Sequence, residues 1–444
     1  MMAPWPAGPS GHWLLGNLRE FRADRLGFLT RLAREYGDFV PFRLKRKPAV
    51  FVNDPDHVEA FISKRAGDYS KNYLTQFFHP LIRRHLLLSE TDSWLEQRRQ
   101  ARPFLRPDRM PAYADVMVAG AERMCDEWQA AGRLPVASEM RRLTLDVLAK
   151  SLFDVDLSDV AAEAPAIVDA VLDDVSARAF AEVYVPIVVP TRANLRSLRR
   201  IRQADRLLDT LIADRRLQAD GRHDLLSVMV AGVDGHGPGA TNQEVKLAAI
   251  PLLFAGHETT AMALTWTLHL LARHPDVQRR LQGELDRILG SRRATAADAR
   301  TLTFASHVVY ESLRLYPPIW GFGREAVRDT QLDGYRIPAG TAVFASQWVL
   351  HRDARYFANP SDFDPDRWAE GLAARLPRCV YMPFGVGPRR CLGSTFAVLE
   401  AVLVLATVCR RFSLAPASDR EPVPDPLITL RPQGGLSLIG HRRN

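Results

Sequence analysis

Cysteine is scarce in this sequence. Four cysteines in 444 residues are too few for a disulfide framework in so long a chain. They also lack the paired spacing that structural zinc modules and iron–sulfur clusters require; they are Cys125, Cys379, Cys391 and Cys409. We therefore predict a protein of a reducing compartment.

A long apolar segment is absent from the start of the sequence. Residues 1–20 contain three prolines and one short apolar patch at 13–15, so they have neither a signal-peptide core nor a spanning helix. We predict an extended N-terminal segment over residues 1–20, no membrane span and a cytoplasmic location.

Lysine is also rare, so the net charge of +8 comes almost wholly from arginine. A nucleic-acid-binding protein is expected to carry a basic stripe with aromatic residues or a known binding motif, and the sequence has neither. The charge therefore favours a basic docking surface for an acidic protein.

The remaining composition predicts one large folded unit. Apolar residues make up 47% of the chain, and no polar linker or internal repeat divides it. Helical periodicity covers most long segments, including 113–217 with breaks at Pro186 and Pro190, whereas residues 39–52 predict a hairpin. We expect a mainly α protein with small β-sheets, forming a single domain over residues 1–444.

A long helix is predicted from residue 241 to residue 274, between a capping box and Pro275. Near its middle the chain reads Ala-Gly-His-Glu-Thr-Thr at 255–260. Gly256 weakens the helix there, and Thr259 is able to donate to a carbonyl one turn earlier, so we expect a groove. Pro251 removes an interior hydrogen bond and is expected to kink the helix just before this groove.

Residues 384–393, Phe-Gly-Val-Gly-Pro-Arg-Arg-Cys-Leu-Gly, are the most informative stretch. Cys391 lies in a glycine-rich loop before an apolar run that predicts a helix, and a helix N-terminus with nearby arginines favours the thiolate over the thiol. The glycines allow tight turns and close approach to a flat group, against which Phe384 is able to pack. This pattern predicts a sulfur anion presented to a planar cofactor; the alternative, which fits most lone cysteines, is a buried or capping thiol.

The same stretch resembles the haem-binding loop of the cytochrome P450 monooxygenases. The family pattern F-x-x-G-x-R-x-C-x-G is met at Phe384, Gly387, Arg389, Cys391 and Gly393. Residues 255–260 resemble the family's A-G-x-E-T-T, and residues 311–314 resemble its E-x-x-R. The resemblance covers nearly the whole chain and implies the cytochrome P450 fold, a single triangular-prism-like domain, with haem b (iron protoporphyrin IX) held by the Cys391 thiolate.

The resemblance also implies roles for individual residues. The implied haem contacts are Trp94, Arg98, Ala255, Gly256, Arg324, Pro383, Phe384, Gly385, Arg389 and Gly393, with Cys391 as the metal ligand. The implied structural group, which locks the haem loop onto the core, is Glu311, Arg314 and Arg367. The implied substrate pocket is Phe77, Phe78, Ile319, Trp320, Phe322 and Thr429. Trp94 and Arg98 share a helical face, and a solvated basic face is the alternative interpretation of that spacing.

The implied chemistry is insertion of one oxygen atom of O2 into a C–H or C=C bond. Glu258 is expected to relay protons from solvent, and Thr259 to hold a water molecule in line. Two alternatives are a haem-thiolate peroxygenase that uses hydrogen peroxide and a non-catalytic haem sensor. The acid and threonine pair favours the monooxygenase, because a peroxide-driven enzyme does not need to protonate bound dioxygen.

Electrons are expected from separate proteins, because the chain has no G-x-G-x-x-G fingerprint and no iron–sulfur cysteine cluster. NAD(P)H would act only indirectly, through a reductase and a ferredoxin or flavodoxin-type donor attracted by Arg99, Arg102 and Arg390. The apolar pocket segments predict a lipophilic substrate. A terpenoid or other apolar natural product is favoured over a fatty acid, since no arginine is clearly placed to hold a carboxylate. A monomer is expected.

Overall fold

A computed structural model describes residues 4–71, 91–128, 131–157, 164–179, 185–217, 224–231 and 241–443. The α-helices are α1 (Leu18–Ala23), α2 (Arg25–Tyr36), α3 (Pro55–Glu59), α4 (Thr91–Ala101), α5 (Met110–Glu127), α6 (Val136–Phe153), α7 (Ala164–Ala179), α8 (Arg192–Leu217), α9 (Leu225–Ala231), α10 (Asn242–Arg273), α11 (Pro275–Leu289), α12 (Thr303–Leu315), α13 (Gln347–Leu350), α14 (Leu372–Arg375) and α15 (Ser394–Arg411). The strands are β1 (Phe39–Leu44), β2 (Lys47–Val52), β3 (Tyr69–Ser70), β4 (Ala131–Leu134), β5 (Phe322–Ala326), β6 (Thr330–Leu332), β7 (Tyr335–Ile337), β8 (Ala342–Ala345), β9 (Phe412–Pro416), β10 (Pro424–Pro426), β11 (Leu430–Pro432) and β12 (Leu438–Arg442).

The expectation of a mainly α protein with small sheets is confirmed. Among the residues described, no helix combines the length and the apolar character needed to cross a membrane. The predicted pocket residues Phe77 and Phe78 lie outside the described ranges. The irregular N-terminal segment is three residues shorter than predicted, because α1 begins at Leu18.

Two compact units make up the fold, each built from separated stretches of chain. The first comprises Met1–Gln76, Tyr310–Cys391 and Pro424–Arg431. The second comprises Phe77–Val309, Leu392–Val423 and Pro432–Asn444. The glycine-rich loop up to Cys391 and the E-x-x-R pair belong to the first unit, and the helix that carries Glu258 and Thr259 belongs to the second.

The first unit contains a five-stranded sheet in the order β1-β2-β8-β5-β3. β1 and β2 form the predicted antiparallel hairpin, in which Phe39 lies opposite Val52. Apolar side chains of this sheet pack into one core with Met382 and, at its edge, Val386. This packing fixes the approach of the chain to the glycine-rich loop.

A π-helical turn follows α3 in the first unit. The sequence predicts one helix over 54–64, but the structure has an α-helix that ends at Glu59 and a π-helix over Ala60–Lys64. Asp54 caps the start by accepting the backbone N–H of Asp56 and of His57. The wider turn matters because the carbonyl of Ile62 lies against the glycine-rich loop.

The second unit packs α10 against α6 and α15 against α5. It also contains a small antiparallel sheet in the order β4-β12-β9. β4 corrects the prediction that residues 113–217 are helical throughout. Its Ala-Gly-Arg-Leu sequence has no alternating pattern, and it pairs with β12, whose residues lie about three hundred positions later in the chain.

α10 is the long helix that the sequence predicts. Its capping box is present, since the Thr241 side chain accepts the Glu244 N–H and the Glu244 carboxylate accepts the Thr241 N–H at 2.9 Å. The helix is continuous from Asn242 to Arg273, a length of about 48 Å. Pro251 therefore does not end or divide it.

Candidate active site

The loop at residues 384–391 is closed by its own backbone. The Cys391 N–H donates to the Phe384 carbonyl at 2.9 Å, and the Arg390 N–H donates to the Gly387 carbonyl at 3.1 Å. Gly385 and Gly387 have φ angles of 67° and 72°, which lie in the left-handed region that favours glycine. These two turns reverse the direction of the chain. Cys391 follows them and lies three residues before Ser394, the first residue of α15.

Cys391 is distinguished from the other cysteines by its exposure. Cys125, Cys379 and Cys409 are buried, whereas Cys391 is exposed. Burial raises the pKa of each of the three buried thiols to about 12, so they stay protonated at neutral pH. Of the four cysteines, Cys391 is the one placed to bind a ligand through sulfur.

Gly387 has a second reason to be glycine. A Cβ atom at this position would lie 2.6 Å from the Ile62 carbonyl oxygen, which is closer than real Cβ atoms approach backbone oxygen. The loop therefore rests directly on the π-helical turn. Gly393 differs from the prediction of a tight turn, because it is the N-cap of α15 with a φ of −85°, which is open to any residue.

Glu311 and Arg314 form a fully buried ion pair. The Arg314 Nε and Nη2 donate to the two Glu311 carboxylate oxygens at 2.9 and 2.8 Å, and both side chains are 0% exposed. Arg367 also donates from Nε to Glu311 at 3.2 Å, as predicted for the structural group. Trp368 adds an indole N–H donor at 2.9 Å. The carboxylate is thus surrounded by donors, which a buried charge requires.

The same arginine holds the irregular stretch that leads to the cysteine loop. Arg314 Nη1 donates to the carbonyls of His351 and Pro360 at 2.8 and 2.6 Å, and Nη2 donates to that of Asp362 at 2.9 Å. Five N–H donors in a rigid planar fork allow one guanidinium to join these segments. The pair therefore organises the path of residues 351–368.

His351 connects this cluster to the loop. The sequence does not indicate this role, because His351 is a single histidine in an irregular stretch. The Met382 N–H donates to its Nε2 at 3.0 Å. Burial, followed by the charges of Arg314 and Arg352, lowers the pKa of His351 to about 3. The ring is therefore neutral at physiological pH, with Nε2 as acceptor and the proton on Nδ1.

Lowering the pH should destabilise the protein through His351. In the unfolded chain His351 binds a proton below its ordinary pKa of 6.5, whereas in the folded chain its pKa is about 3 and it stays neutral. The free energy of unfolding therefore decreases as the pH falls through this window. The loss between pH 7 and pH 5 should be about 2 kcal/mol. Urea unfolding at both pH values should show this loss reduced in His351→Gln and unchanged in His441→Gln, a variant at an exposed histidine. Equal pH slopes in all three proteins would contradict the assignment.

The predicted pocket segment at 317–322 is joined to the segment at 427–430. The Trp320 indole N–H donates to the Leu427 carbonyl at 2.8 Å, and the Leu430 N–H donates to the Pro318 carbonyl at 2.9 Å. Trp320 is buried, and its indole N–H joins the two segments. The hydrogen bonds place Thr429 next to the segment that carries Ile319.

Phe322 and Arg324 lie on β5, which continues directly from this segment in the chain. Phe322 is half-buried and stacks on Phe61 with ring centroids 5.8 Å apart. Arg324 is half-buried, donates to the Gly323 carbonyl at 2.8 Å and lies with its guanidinium carbon 5.8 Å from the Phe322 ring. Pro383 and Arg389 are also half-buried.

The middle of α10 carries the acid and threonine pair. Glu258 is 2% exposed and Thr259 is half-buried. The Thr259 hydroxyl donates to the Ala255 carbonyl at 2.6 Å, which confirms the predicted bond to a carbonyl one turn earlier. Because the hydroxyl proton is used in this way, the lone pairs of Oγ1 stay available to accept a hydrogen bond.

Gly256 has a packing role that the sequence did not predict. A Cβ atom there would lie 2.7 Å from Cδ2 of Leu148 on α6, so the absence of a side chain allows the two helices to approach. Gly256, which is predicted to weaken α10, thus also allows α10 to pack closely against α6. The role of Gly256 and Ala255 beside a cofactor stays a prediction.

Trp94 and Arg98 lie on α4, as expected from their spacing. The Arg98 guanidinium carbon lies 5.5 Å from the centre of the Trp94 ring. The spacing of Trp94 and Arg98 also predicts that Arg102 continues their face, but α4 ends at Ala101 and Arg102 begins a 3-10 turn.

Comparison with known proteins identifies the family. The family model described as Cytochrome P450 matches residues 6–438. Cyclooctatin synthase of Streptomyces melanosporofaciens is 34% identical, over 97% of this chain and 93% of the relative. Cyclooctat-9-en-7-ol 5-monooxygenase of the same organism is 31% identical, over 93% and 90%. Pentalenene oxygenase of Streptomyces avermitilis is 31% identical, over 74% and 73%.

A closed glycine loop that carries an exposed cysteine, together with a buried E-x-x-R cluster, is the pattern of a haem-thiolate protein. The chain belongs to the cytochrome P450 family. It is a monooxygenase and therefore an oxidoreductase.

The family implies haem with a cysteine thiolate ligand, and the residues present fit this group. Cys391 is exposed, and a thiolate is a suitable donor for haem iron. A Cβ atom built on Gly385 would meet no described atom within 4 Å, so the described residues leave this side of the loop uncovered.

Proposed function

We propose that this protein inserts one atom of O2 into a terpenoid or other apolar natural product, with Cys391 holding the iron of haem b. The exposure of Cys391 on its closed loop, in contrast to the three buried cysteines, is the observation that carries the proposal. When bound, haem supplies the activation of dioxygen, and a thiolate ligand favours cleavage of the O–O bond. The chain supplies binding, orientation, protons and exclusion of water.

Guanidinium groups are the proposed partners of the two haem propionates. Arg98 and Arg324 stay charged at any physiological pH and are able to hold a carboxylate through paired N–H donors. Each packs on an aromatic ring, Trp94 and Phe322 respectively, which limits its rotation. Each ring is thus the proposed support of the guanidinium group beside it.

Proton delivery is assigned to Glu258 and Thr259. Glu258 is buried and precedes Thr259 on α10, and the bond to Ala255 fixes the orientation of the Thr259 hydroxyl. An oriented acceptor is able to hold a water molecule that passes a proton inward. This pair favours an enzyme that uses O2 over one that uses hydrogen peroxide.

Thr259→Ala should separate these two functions. The variant should keep consuming O2 and reduced donor while product per O2 falls about tenfold, because proton delivery is worth about 100-fold or more in rate. Turnover driven by hydrogen peroxide should be spared. Product, O2 consumption and peroxide release are measured together.

Thr260→Ala is the matched control, because Thr260 makes the same kind of bond, to the Gly256 carbonyl at 2.9 Å, but is buried. It should leave the coupling of O2 to product unchanged. Unaltered coupling in Thr259→Ala, or equal losses in both variants, would overturn the role of Thr259. A wild-type protein active with peroxide but inactive with O2 and any donor would indicate a peroxygenase, and one inactive with both would indicate a sensor.

The proposed substrate class rests on the apolar pocket and on the relatives. The names of two relatives give cyclooctat-9-en-7-ol and pentalenene as what those proteins oxidise, and both names denote alkenes without a carboxylate. The half-buried Ile319 and Phe322 are apolar, which suits such a compound. Titration of the haem-loaded protein with cyclic terpenes, terpene alcohols and fatty acids, followed by the haem spin state, tests this choice. Spin-state changes restricted to fatty acids would favour the alternative.

Electrons are proposed to come from a separate acidic ferredoxin or flavodoxin-type protein. Arg99 and Arg102 are exposed, although Arg99 is partly neutralised by Glu96, whose carboxylate oxygen lies 2.9 Å away. Arg390 is exposed beside Cys391 in the sequence. Such arginines raise the rate of association with an acidic partner through long-range attraction, which salt screens.

Reversal of Arg102 to glutamate should slow electron transfer about tenfold at low ionic strength, and the difference should shrink as salt is added. Arg99→Glu should have a smaller effect, because Glu96 already offsets its charge. Arg287→Glu, at an exposed position of α11, makes the same change in net charge as a control. Stopped-flow reduction at several salt concentrations gives the rates, and identical rates for Arg102→Glu and the control would contradict the docking role.

A further inference from the structure

A histidine and two carboxylates converge on one point of the second unit. They are His257 and Glu258 on α10 and Asp169 on α7, and one ligand atom of each lies within 4.8 Å of the others. His257 is 0% exposed, Glu258 is 2% exposed, and the Asp169 side chain is 31% exposed. The group is therefore buried on the helix side and open to solvent through Asp169.

The hydrogen bonding of His257 fixes which ring nitrogen faces the carboxylate. Nδ1 lies 2.9 Å from the Leu253 carbonyl oxygen, and a carbonyl only accepts, so Nδ1 carries a proton. In the neutral ring Nε2 then has a bare lone pair. This atom is buried, has no hydrogen-bond partner among the described residues, and lies 3.8 Å from Oδ1 of Asp169. Two electron-rich atoms face each other, which requires a cation between them or on one of them.

The separation argues for an ion between the two atoms. A proton shared by Nε2 and a carboxylate would draw them to about 2.7–3.2 Å, the length of an N–H···O hydrogen bond. Two ligands bound at about 2.0–2.1 Å to one tetrahedral ion lie about 3.3 Å apart, and opposite ligands of an octahedral ion lie about 4.2 Å apart. The observed 3.8 Å falls between these two values. All three ligand atoms lie within 4.8 Å of one another, so binding of one ion needs only a small inward movement of a carboxylate.

We propose that His257, Asp169 and Glu258 bind a divalent transition-metal ion of the Zn²⁺ class. One imidazole and two carboxylates are hard and borderline donors that suit such an ion, with water in the remaining position. The bond from Nδ1 to the Leu253 carbonyl is the outer support that metal-binding histidines commonly have. The two negative charges balance the charge of the ion.

A guanidinium competes for one ligand. Arg141 Nε lies 3.7 Å from Oδ2 of Asp169, beyond hydrogen-bond distance, while Oδ1 faces His257. The two oxygens of Asp169 are thus able to serve the arginine and the ion separately. Arg141 lowers the affinity of the site without blocking it.

A metal ion bound at this site should affect the proposed oxygenation reaction. An ion that holds Glu258 removes this carboxylate from proton delivery, so bound zinc should increase the fraction of O2 that gives no product. This consequence rests on the proposed function, whereas binding of the ion does not and is measured without turnover.

Zinc binding is tested on full-length, haem-loaded protein that has been stripped with a chelator. Equilibrium dialysis against Zn²⁺ with elemental analysis should give one ion per chain, and His257→Gln and Asp169→Asn should each weaken binding at least about tenfold. The matched control is His269→Gln. His269 lies on the same helix with a carboxylate oxygen of Glu421 at 3.2 Å, a distance typical of a hydrogen-bonded pair, so zinc binding should be unchanged.

Crystals of the wild-type protein soaked in Zn²⁺ should show an anomalous scattering peak between the three side chains. This measurement keeps the test valid if a variant fails to fold. Absence of that peak, unchanged binding in His257→Gln and Asp169→Asn, or a His257 to Asp169 distance of about 3 Å without metal would overturn the site. The last result would identify a buried imidazolium and carboxylate pair.

Discussion

Cys391→Ser should abolish oxygenation. A serine hydroxyl has nearly the same shape but does not form an anion at neutral pH, so the sulfur that would hold the iron and donate electron density is lost. Product formation should fall at least about a thousandfold, equivalent to about 4 kcal/mol in the barrier. The reduced carbon monoxide complex should also lose the absorption band of a thiolate-ligated haem, which is recorded before any assay.

The control for this substitution is Cys125→Ala. Cys125 is buried and burial raises its pKa to about 12, so it should have no part in haem binding. This variant should keep the thiolate-type spectrum and its turnover. A Cys391→Ser protein with an intact thiolate spectrum would show that another cysteine binds the iron.

Glu311→Ala should destabilise the folded protein by about 3–5 kcal/mol, because removal of one partner leaves buried charge without compensation. Arg314 is 0% exposed and Arg367 is nearly buried, and the indole N–H of Trp368 also loses its acceptor. Glu311→Gln keeps the shape but not the charge and should give a smaller loss. Chemical unfolding of the haem-loaded protein measures both, with haem release as a second signal.

An exposed pair at the same spacing is the control. Asp276 and Arg279 also lie three residues apart on a helix, at 2.6 Å, but their side chains are 84% and 73% exposed. Asp276→Ala should change stability by less than about 1 kcal/mol, since solvent-exposed ion pairs contribute little. Similar losses at Glu311 and Asp276 would show that burial does not set the strength of the cluster.

The cysteine loop could be predicted from the sequence because its residues are consecutive. The left-handed glycines at 385 and 387 and the helix that follows are local features, and the structure confirms them. The capping box of α10 and the spacing of Glu311 and Arg314 are local in the same sense. The roles assigned to these residues toward haem remain predictions.

The burial of the Glu311 cluster could not be predicted, because its other members come from an irregular stretch about 40 to 57 residues later. The i, i+3 spacing is the same for the exposed Asp276 and Arg279 pair, so spacing alone does not separate the two cases. His351 also lies in this irregular stretch, where no sequence motif indicates its burial or its contact with the loop. Asp169 and His257 lie on helices far apart in sequence, and only their packing brings them together.

β4 shows a different limit. Its four residues form a strand because β12 offers free backbone groups beside them, and the prediction of continuous helix was wrong there. Local propensity gives way to tertiary pairing in such short segments. The π-helical turn at 60–64 is comparable, since no residue in it signals a wider turn.

The hydrogen bonds from Trp320 to Leu427 and from Leu430 to Pro318 bear on the engineering of new selectivity. Ile319 and Thr429, two of the proposed pocket residues, lie on segments that share these bonds, so the effects of substituting them should combine non-additively. Libraries that vary the two positions one at a time would miss the productive pairs. Directed evolution of this enzyme should therefore randomise both positions together.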